Sequence, residues 1–324
     1  MTQRLTAPPA IPARPMLAPW CRILSDRGRV LLEHGATVVT LEGRGAATLL
    51  PELLPLLDGS RTVVELEETM GRPIAPAVER ALTLLAENNL LLDGPQASRA
   101  ADPVTAAATF AAAVTRRVAP DIAREALVTS TVAVLGSGRN AVEIARQLEL
   151  TGVERVEALA FGAEHADRAF VIAAPDSHEV TRLEGLNEML LERGHAWLQV
   201  LPYDGRQLVV GPLILPGTSA CRACFSLRRA ACSGYEDDFD LVETAPTRAP
   251  MPAPMVCVAA GVAALLAVRW LTARDVSLPG RLYAFEAGPV LRLTHHLVLR
   301  VPRCTVCGPG TARAVPLPWF REGP

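Results

Sequence analysis

Four cysteines stand in two CxxC pairs, a spacing that suits the binding of a metal ion. Cys221 and Cys224 form the first pair, and Cys304 and Cys307 form the second, with 79 residues between the pairs. Each CxxC turn presents two thiolates, and two such turns complete a tetrahedral four-sulfur site for Zn²⁺. Because four thiolates leave no open position for water, we predict a structural zinc ion, not a catalytic one. Redox pairs or unliganded cysteines are the alternative interpretation.

A glycine turn between a predicted strand and a predicted helix is the second candidate site. The apolar strand Thr131–Leu135 runs into the segment GSGRNA, which begins with Gly136 and Gly138. Backbone amides at the start of such a helix can hold a phosphate, but the same glycines also serve close packing of strand and helix. The acidic residue that binds a ribose should follow the next strand, Val153–Leu159. The segment Val156–Gly162, which covers the end of this strand and the residues after it, offers only Glu157, and this residue lies inside the strand.

The basic residues have an unusual composition, since all 32 are arginine and lysine is absent. A P-loop needs a lysine on the nucleotide phosphates, and Schiff-base catalysis needs a lysine amine, so both are excluded. A GC-rich genome accounts for the bias, because alanine, glycine and proline are abundant as well. The net charge of −2 gives no basic footprint, and we predict that no nucleic acid is bound.

The sequence predicts neither a membrane-spanning helix nor a signal peptide. The longest apolar run, Val256–Val268, is shorter than the ~20 residues of a spanning helix, so we predict a buried core helix and no membrane contact. Residues 1–16 carry prolines where a signal peptide needs an apolar segment. Seven cysteines, partly in CxxC pairs, suit a reducing compartment. We therefore predict a cytoplasmic protein.

Three regions follow from the pattern of elements. Residues 1–95 contain a Pro/Ala-rich arm up to residue 16, then three strands and three helices, which predicts a small winged-helix-like domain. Residues 96–126 are alanine-rich and predict a linker with a surface helix. Residues 127–324 alternate strands and helices, which predicts a parallel, doubly wound α/β sheet. The predicted elements of the first region are the strands 21–24, 29–34 and 37–42 and the helices 46–57, 62–70 and 76–88.

These motifs together resemble the ThiF/MoeB family of ubiquitin-activating-enzyme-like adenylating proteins, over residues ~127–310. The resemblance rests on the glycine turn and on the segments GPLILPGTSACRACF and LRVPRCTVCG. It implies that the four CxxC cysteines are zinc ligands, and that Asp176 stands where the family keeps a magnesium-binding aspartate. The family's ribose-binding acid, asparagine–arginine pair and lysine should lie between Phe161 and Ala169, where this chain has only the short GAEHADR. We therefore predict a vestigial nucleotide site at Gly136, Gly138 and Asp176 and no bound ATP.

The whole chain resembles a narrower group, the partner proteins of thiazole/oxazole-modified microcin cyclodehydratases, including the ThiF-like proteins of thiopeptide clusters. The segments LLPLLDGSRTVVEL, GPLILPG–CRAC and LVLRVPRCTVCG are typical of that group. The resemblance implies an N-terminal peptide recognition element, which binds the leader of a precursor peptide as an added strand. It also implies a separate YcaO-type cyclodehydratase, which consumes ATP to form azolines, and it allows a homodimer through the ThiF-like domain.

The third predicted strand, Thr37–Glu42, is β-branched and would leave an open edge for such a peptide. A groove between this strand and the third helix would hold the peptide side chains, although each groove residue is equally explained as core. A DNA-binding winged helix is the rival interpretation, but the third helix offers only Arg80, and the first 95 residues hold 9 arginines against 11 acidic residues. The candidate peptide-binding residues are Val38, Val39, Thr40, Leu41, Val78, Leu82 and Leu85.

The sequence thus predicts a non-catalytic protein that binds a leader peptide and activates a YcaO-type cyclodehydratase. An active adenylating enzyme that acts on a peptide carboxylate is the alternative, and a purely structural zinc scaffold is a third hypothesis. The three differ in whether the chain binds a peptide, turns over ATP or does neither.

Overall fold

The N-terminal part of the chain is built around a three-stranded antiparallel sheet. In the computed structural model, which describes residues 10–35, 37–94, 102–163, 169–245 and 251–308, the chain divides into two units, Met1–Val128 and Thr129–Pro324. The sheet of the first unit has the order β2-β3-β4. Its strands are β2 (Arg22–Asp26), β3 (Arg29–His34) and β4 (Thr37–Glu42), which agree with the three predicted strands to within two residues.

The first unit also contains a two-stranded sheet, which the sequence analysis did not predict. It pairs β1 (Pro15–Leu17) antiparallel with β5 (Leu91–Asp93). Assigning the segment up to residue 16 to a loose arm is therefore wrong for Pro15 and Met16. Met16 is buried, and its strand is too short to show an alternating pattern in the sequence.

Short helices pack against the inner face of the three-stranded sheet. Leu32 of β3 and Leu53, Leu66 and Leu82 of the helices are buried in one core. A capping box begins α3, because the Thr62 side chain accepts from the Glu65 amide while the Glu65 carboxylate accepts from the Thr62 amide. The helices are α1 (Arg44–Thr48), α2 (Leu50–Leu53), α3 (Val63–Met70) and α4 (Ala75–Glu87), with 3-10 turns at Leu54–Leu56 and Arg72–Ile74.

The alanine-rich stretch forms two helices, α5 (Pro103–Thr115) and α6 (Pro120–Val128), which pack on each other. Ala108 and Ala111 are fully buried, and Ala112 is nearly so. The predicted surface helix is thus partly buried. Alanine carries so little apolar surface that its burial leaves only a weak signal in the sequence.

The second unit contains a seven-stranded sheet of order β12-β11-β10-β9-β8-β6-β7. Its helices are α7 (Arg139–Leu150), α8 (Arg182–Glu192), α9 (Arg222–Ser233), α10 (Phe239–Thr244) and α11 (Ala253–Ala273). Its strands are β6 (Thr131–Leu135), β7 (Arg155–Leu159), β8 (Phe170–Ala173), β9 (Trp197–Val200), β10 (Gln207–Ile214), β11 (Arg281–Ala287) and β12 (Leu291–Leu297).

The sheet is mixed, which corrects the prediction of a parallel sheet. The strands β7, β6, β8 and β9 are parallel, whereas β10, β11 and β12 each run antiparallel to their neighbours. The connections β9–β10 and β11–β12 are short, and a short connection joins antiparallel strands because a parallel pair needs a long crossover. The α/β class is confirmed, while the parallel arrangement holds only for four strands.

The long apolar helix α11 is a core element of this unit. In the described part of the chain, it is the one helix that is long and apolar enough to cross a membrane by length and composition. It packs against α7 and β10, and Ala259, Ala263 and Ala267 are fully buried. The prediction of a buried core helix is confirmed for this segment.

Candidate functional site

The four predicted metal ligands converge from two separate turns. Cys221 is the N-cap of α9 and Cys224 lies in its first turn, while Cys304 and Cys307 lie in a turn that follows β12. The side chains of the four cysteines offer sulfur atoms that all lie within 4.8 Å of one another. The structure therefore brings together all four residues that the sequence analysis paired by their spacing.

The distances between the sulfur atoms fit a tetrahedral metal ion. The Sγ atom of Cys221 lies 3.8 Å from that of Cys224 and 3.7 Å from that of Cys304. The Sγ atoms of Cys224 and Cys307 are 3.5 Å apart. A Zn–S bond of about 2.3 Å places the corners of a tetrahedron about 3.8 Å apart, so the cluster has the size that such an ion needs. The fold therefore places four sulfur atoms where they could hold one metal ion.

Backbone amides near the cysteines donate hydrogen bonds to the sulfur atoms. The amide of Val301 donates to Cys224 Sγ over 3.3 Å. Burial raises the pKa of Cys304, but hydrogen bonds from the backbone amides of Cys307 and Val306 outweigh it and bring the pKa to about 7. At Cys221, burial raises the pKa of the thiol, so a cation would be needed to hold its thiolate.

Two arginines fix the CxxC turns in the fold, and the sequence analysis identified neither. Arg300 donates to the Gly217 carbonyl over 2.8 Å and to the Cys307 carbonyl over 2.5 Å, which ties the second turn to the segment before the first. Arg222, inside the first CxxC, has a buried side chain whose guanidinium donates to Glu184 over 3.2 Å and to Gln199 over 3.3 Å. An arginine within a CxxC motif carries no sequence signal that distinguishes this role.

The glycine turn brings together the three residues predicted as a vestigial nucleotide site. An added Cβ at Gly136 would lie 2.1 Å from the Ala174 carbonyl oxygen, and one at Gly138 would lie 2.4 Å from Asp176 Oδ1. Gly136 also has a φ of +151°, a conformation that favours glycine. Both glycines are thus explained by the close approach of the turn to the segment after β8.

An internal carboxylate accepts hydrogen bonds from one amide of this turn and from one amide of the segment after β8. Glu179 Oε2 accepts from the Ser137 amide over 3.3 Å and from the Asp176 amide over 3.0 Å. The Glu179 side chain is buried. Burial raises the pKa of this carboxyl, but the hydrogen bonds from the Asp176 and Ser137 amides outweigh burial and lower it overall. The Ser137 amide, which could have faced a phosphate, is therefore bonded to a negative charge supplied by the chain itself.

The segment between Phe161 and Ala169, which was predicted to have lost the adenylating residues, lies only partly within the described residues. Residues 164–168 are outside the described residues. Next to this segment, Phe161 and the α8 residues Leu186 and Met189 line a mostly apolar cavity of about 610 Å³. Arg182 and Arg193 also line it.

The predicted peptide-binding residues divide into two sets. Strand β4 is the terminal strand of its sheet, and Val38 and Thr40 on its outer face are exposed, Val38 by 54%. Val39 and Leu41 point inward and pack on the core. The helix residues Val78, Leu82 and Leu85 are at most 1% exposed, so packing accounts for them, and their part in peptide binding stays a prediction.

No family model matches the chain, and no curated protein matches it. Among solved structures, it is similar to a heterocyclase in complex with substrate and cofactor, with a TM-score of 0.66 and 20% identity over 91% of this chain and 39% of that one. The heterocyclase TruD gives a TM-score of 0.64 and 22% identity over 92% of this chain and 43% of TruD. The chain thus spans about two fifths of the length of these heterocyclases.

The chain is also similar to MccB of E. coli, here over nearly the full length of both proteins. The TM-score is 0.66 and the identity 15%, over 91% of this chain and 97% of MccB. MccB has been solved with ATP and with MccA. At these identities the likeness defines the fold: a mixed α/β chain of the architecture that heterocyclases and MccB share.

Proposed function

We propose that this chain is a leader-peptide-binding, non-catalytic partner of a YcaO-type ATP-dependent cyclodehydratase that installs azolines in a ribosomal precursor peptide. The observation that carries the proposal is the fold match over nine tenths of the chain to a heterocyclase solved with its substrate and cofactor. The outer edge of β4, which pairs with no further strand in the described part of the chain, supplies a place for a peptide. The occupied glycine turn argues against ATP chemistry in this chain.

In this proposal the leader adds to β4 as a further antiparallel or parallel strand of a winged-helix-like domain. An extended peptide gains main-chain hydrogen bonds at a free edge, and its side chains then contact those of the neighbouring strand. Val38 and Thr40 would contact the side chains on the outer face. Val39 and Leu41 would hold the strand on its core, and α4, through Val78, Leu82 and Leu85, would support that core from the opposite side.

Binding of the leader would act through effective concentration. A peptide held by its leader presents its core segment repeatedly to the partner's active site, which replaces a bimolecular encounter by an intramolecular one. This role needs no catalytic group in the chain. It needs a peptide site and a surface for the cyclodehydratase.

Zinc is the metal we propose for the four-sulfur cluster, in a structural role. The all-thiolate donor set and the tetrahedral spacing suit Zn²⁺, and four protein ligands would leave it no site for substrate. The ion would clamp the turn after β12 to the start of α9. Its loss should affect folding and not only kinetics.

The second candidate function is an adenylating enzyme that acts on a peptide carboxylate. The near-full-length match to MccB, which was solved with ATP, favours it. This function requires nucleotide at the glycine turn, where Glu179 would have to release the Ser137 amide. A calorimetric titration with ATP, together with a pyrophosphate-release assay, separates the two functions: we expect neither heat nor pyrophosphate from the full chain.

Peptide binding is tested with the full chain and fluorescein-labelled N-terminal halves of the short peptides encoded beside its gene. We expect Val38→Asp combined with Thr40→Asp to weaken binding about tenfold, because cross-strand pairs contribute roughly 0.2–1 kcal/mol each and a carboxylate next to the peptide also costs energy. Val64→Asp, at an equally exposed valine of α3, is the matched control. Fluorescence anisotropy that shows no binding by the full chain, or equal affinities for all variants, contradicts the proposal.

A further inference from the structure

Strand β12 carries an apolar face that nothing in the described chain covers. It is the terminal strand of the seven-stranded sheet, and all of its residues are exposed. Leu291, Leu293 and Leu297 share one face with His295 and are 68%, 59% and 56% exposed, while Arg292, Thr294 and His296 alternate with them on the other face. Such alternation is typical of a strand with one buried face. Here both faces of the strand are exposed, and the leucines lie on one of them.

Along the same face of the sheet, the side chains become more exposed from β10 to β12. On the same face of the sheet, Leu208 and Val210 of β10 are buried. Their direct partners on β11 are Phe285 and Tyr283, which are half-buried. Leu293 pairs with Phe285 across to β12 and is exposed. The sheet therefore continues one strand beyond the layer that covers this face.

A groove continues from the end of β12. A cavity of about 460 Å³ is lined by Leu297, Leu299, Trp270 and Val276, among other residues, and Leu299 and Val276 are 57% and 65% exposed. Its two charged lining residues in the described chain are Arg274 and Arg300. The β12 apolar surface is defined as the side chains of Leu291, Leu293, Leu297, Leu299 and Val276.

We propose that the cyclodehydratase docks on the β12 apolar surface, through apolar side chains flanked by carboxylates. The inference rests on the proposed function. The shared fold covers about two fifths of the heterocyclases, so a separate protein that supplied the remaining three fifths would have to bind this chain through a surface. Neighbouring exposed aliphatic side chains with a charged border mark such a protein-binding surface.

The charges favour this partner over a second copy of the chain. A twofold interface places the same surface on both sides, so the arginines that border the groove would face an identical basic border. An acidic border on a different protein turns this repulsion into attraction and speeds association. Association through this surface should therefore weaken as salt is added.

The test uses the full chain and the YcaO-type protein encoded beside its gene. We expect Leu291→Glu combined with Leu293→Glu to weaken their association by about thirtyfold, the effect of losing a buried apolar anchor. Leu291→Ser with Leu293→Ser, the milder pair, should weaken it less and keep the wild-type melting temperature. Val142→Glu, at an equally exposed valine of α7, should change nothing. Biolayer interferometry measures the association, and fluorescence anisotropy measures leader binding by the same variants.

The outcomes separate this inference from the function on which it rests. Weakened association with leader binding unchanged within about twofold supports the docking surface. Unchanged association in both leucine variants overturns it and leaves the proposed function in place. A wild-type dimer in light scattering that the leucine variants dissociate, with association to the cyclodehydratase intact, makes a second copy the occupant and also overturns it. A wild-type chain that binds neither the leader nor the cyclodehydratase overturns the proposed function and this inference with it.

Discussion

The four-cysteine cluster and the glycine turn are two loop sites in the same unit, and each brings a backbone amide to a side chain that accepts its hydrogen bond. In the cluster, the amide of Val301 points to a cysteine sulfur and four sulfurs surround a point where an ion could bind. In the turn, the Ser137 amide points to a carboxylate of the chain itself. The motif spacing predicts that these segments meet. It does not predict which group lies at the centre.

The largest effect should follow from the loss of one metal ligand. We expect Cys304→Ser to release the metal and unfold the unit Thr129–Pro324, because structural zinc contributes roughly 10–16 kcal/mol in small domains, at least as much as the whole stability of a typical fold. Metal analysis by mass spectrometry and a thermal melt measure the two effects. Cys257→Ser removes an exposed cysteine of α11 and should leave both unchanged.

One result would remove the contrast between the two sites. If Cys304→Ser is folded, metal-free and as stable as the wild type, the cluster is held by groups of the chain alone, as the glycine turn is. If the freshly purified wild-type chain contains no metal, the proposal of zinc fails directly.

A smaller effect is expected at the glycine turn, where the reason for glycine is steric. Gly136→Ala should lower the free energy of unfolding by roughly 2–4 kcal/mol, because its Cβ would clash with the Ala174 carbonyl at 2.1 Å and φ is unfavourable. Gly194→Ala is the matched control, since Gly194 also has a positive φ but nothing lies within 4 Å of an added Cβ. Urea unfolding measures both variants. Equal losses would mean that the positive φ, and not the close packing against Ala174, is what requires glycine at position 136.

The sequence predicted what is encoded locally. The four clustered cysteines follow from two CxxC spacings, and the strands β3 and β4 follow from short apolar and β-branched runs bounded by turn residues. Glu179 could not be found in this way, because it bonds an amide 42 residues away and its own segment shows no periodic pattern. The antiparallel half of the large sheet was missed although the β9–β10 and β11–β12 connections are too short for a parallel crossover, and only the long connection from β10 to β11 leaves strand direction open in the sequence.

The smallest of the three effects should come from a substitution of Glu179. It tests whether the Glu179 carboxylate holds the Ser137 amide of the glycine turn. Glu179→Gln keeps an acceptor oxygen but removes the charge, so each of the two amide hydrogen bonds should weaken by about 1 kcal/mol, giving about 2 kcal/mol in the free energy of unfolding at pH 7. Glu184→Gln, at the half-exposed carboxylate beside Arg222, provides a comparison for the removal of one charge. A Glu179→Gln variant as stable as the wild type would mean that the carboxylate does not hold the amides of the turn, and that these amides are available to a nucleotide.

The charge of Glu179 makes its contribution to the free energy of unfolding depend on pH, which a packing effect would not do. The pKa of Glu179 is lowered in the folded chain from its ordinary value of 4.5, so the unfolded chain binds the proton more tightly. The stabilisation is therefore fully present above pH 4.5 and is lost as the pH falls through the lower, folded pKa. Urea unfolding of wild type and Glu179→Gln at several pH values should show a difference that is constant near neutrality and shrinks in acid. A difference that stays constant in acid would assign the effect to shape, and the glycine turn would then owe its form to packing without an internal anion.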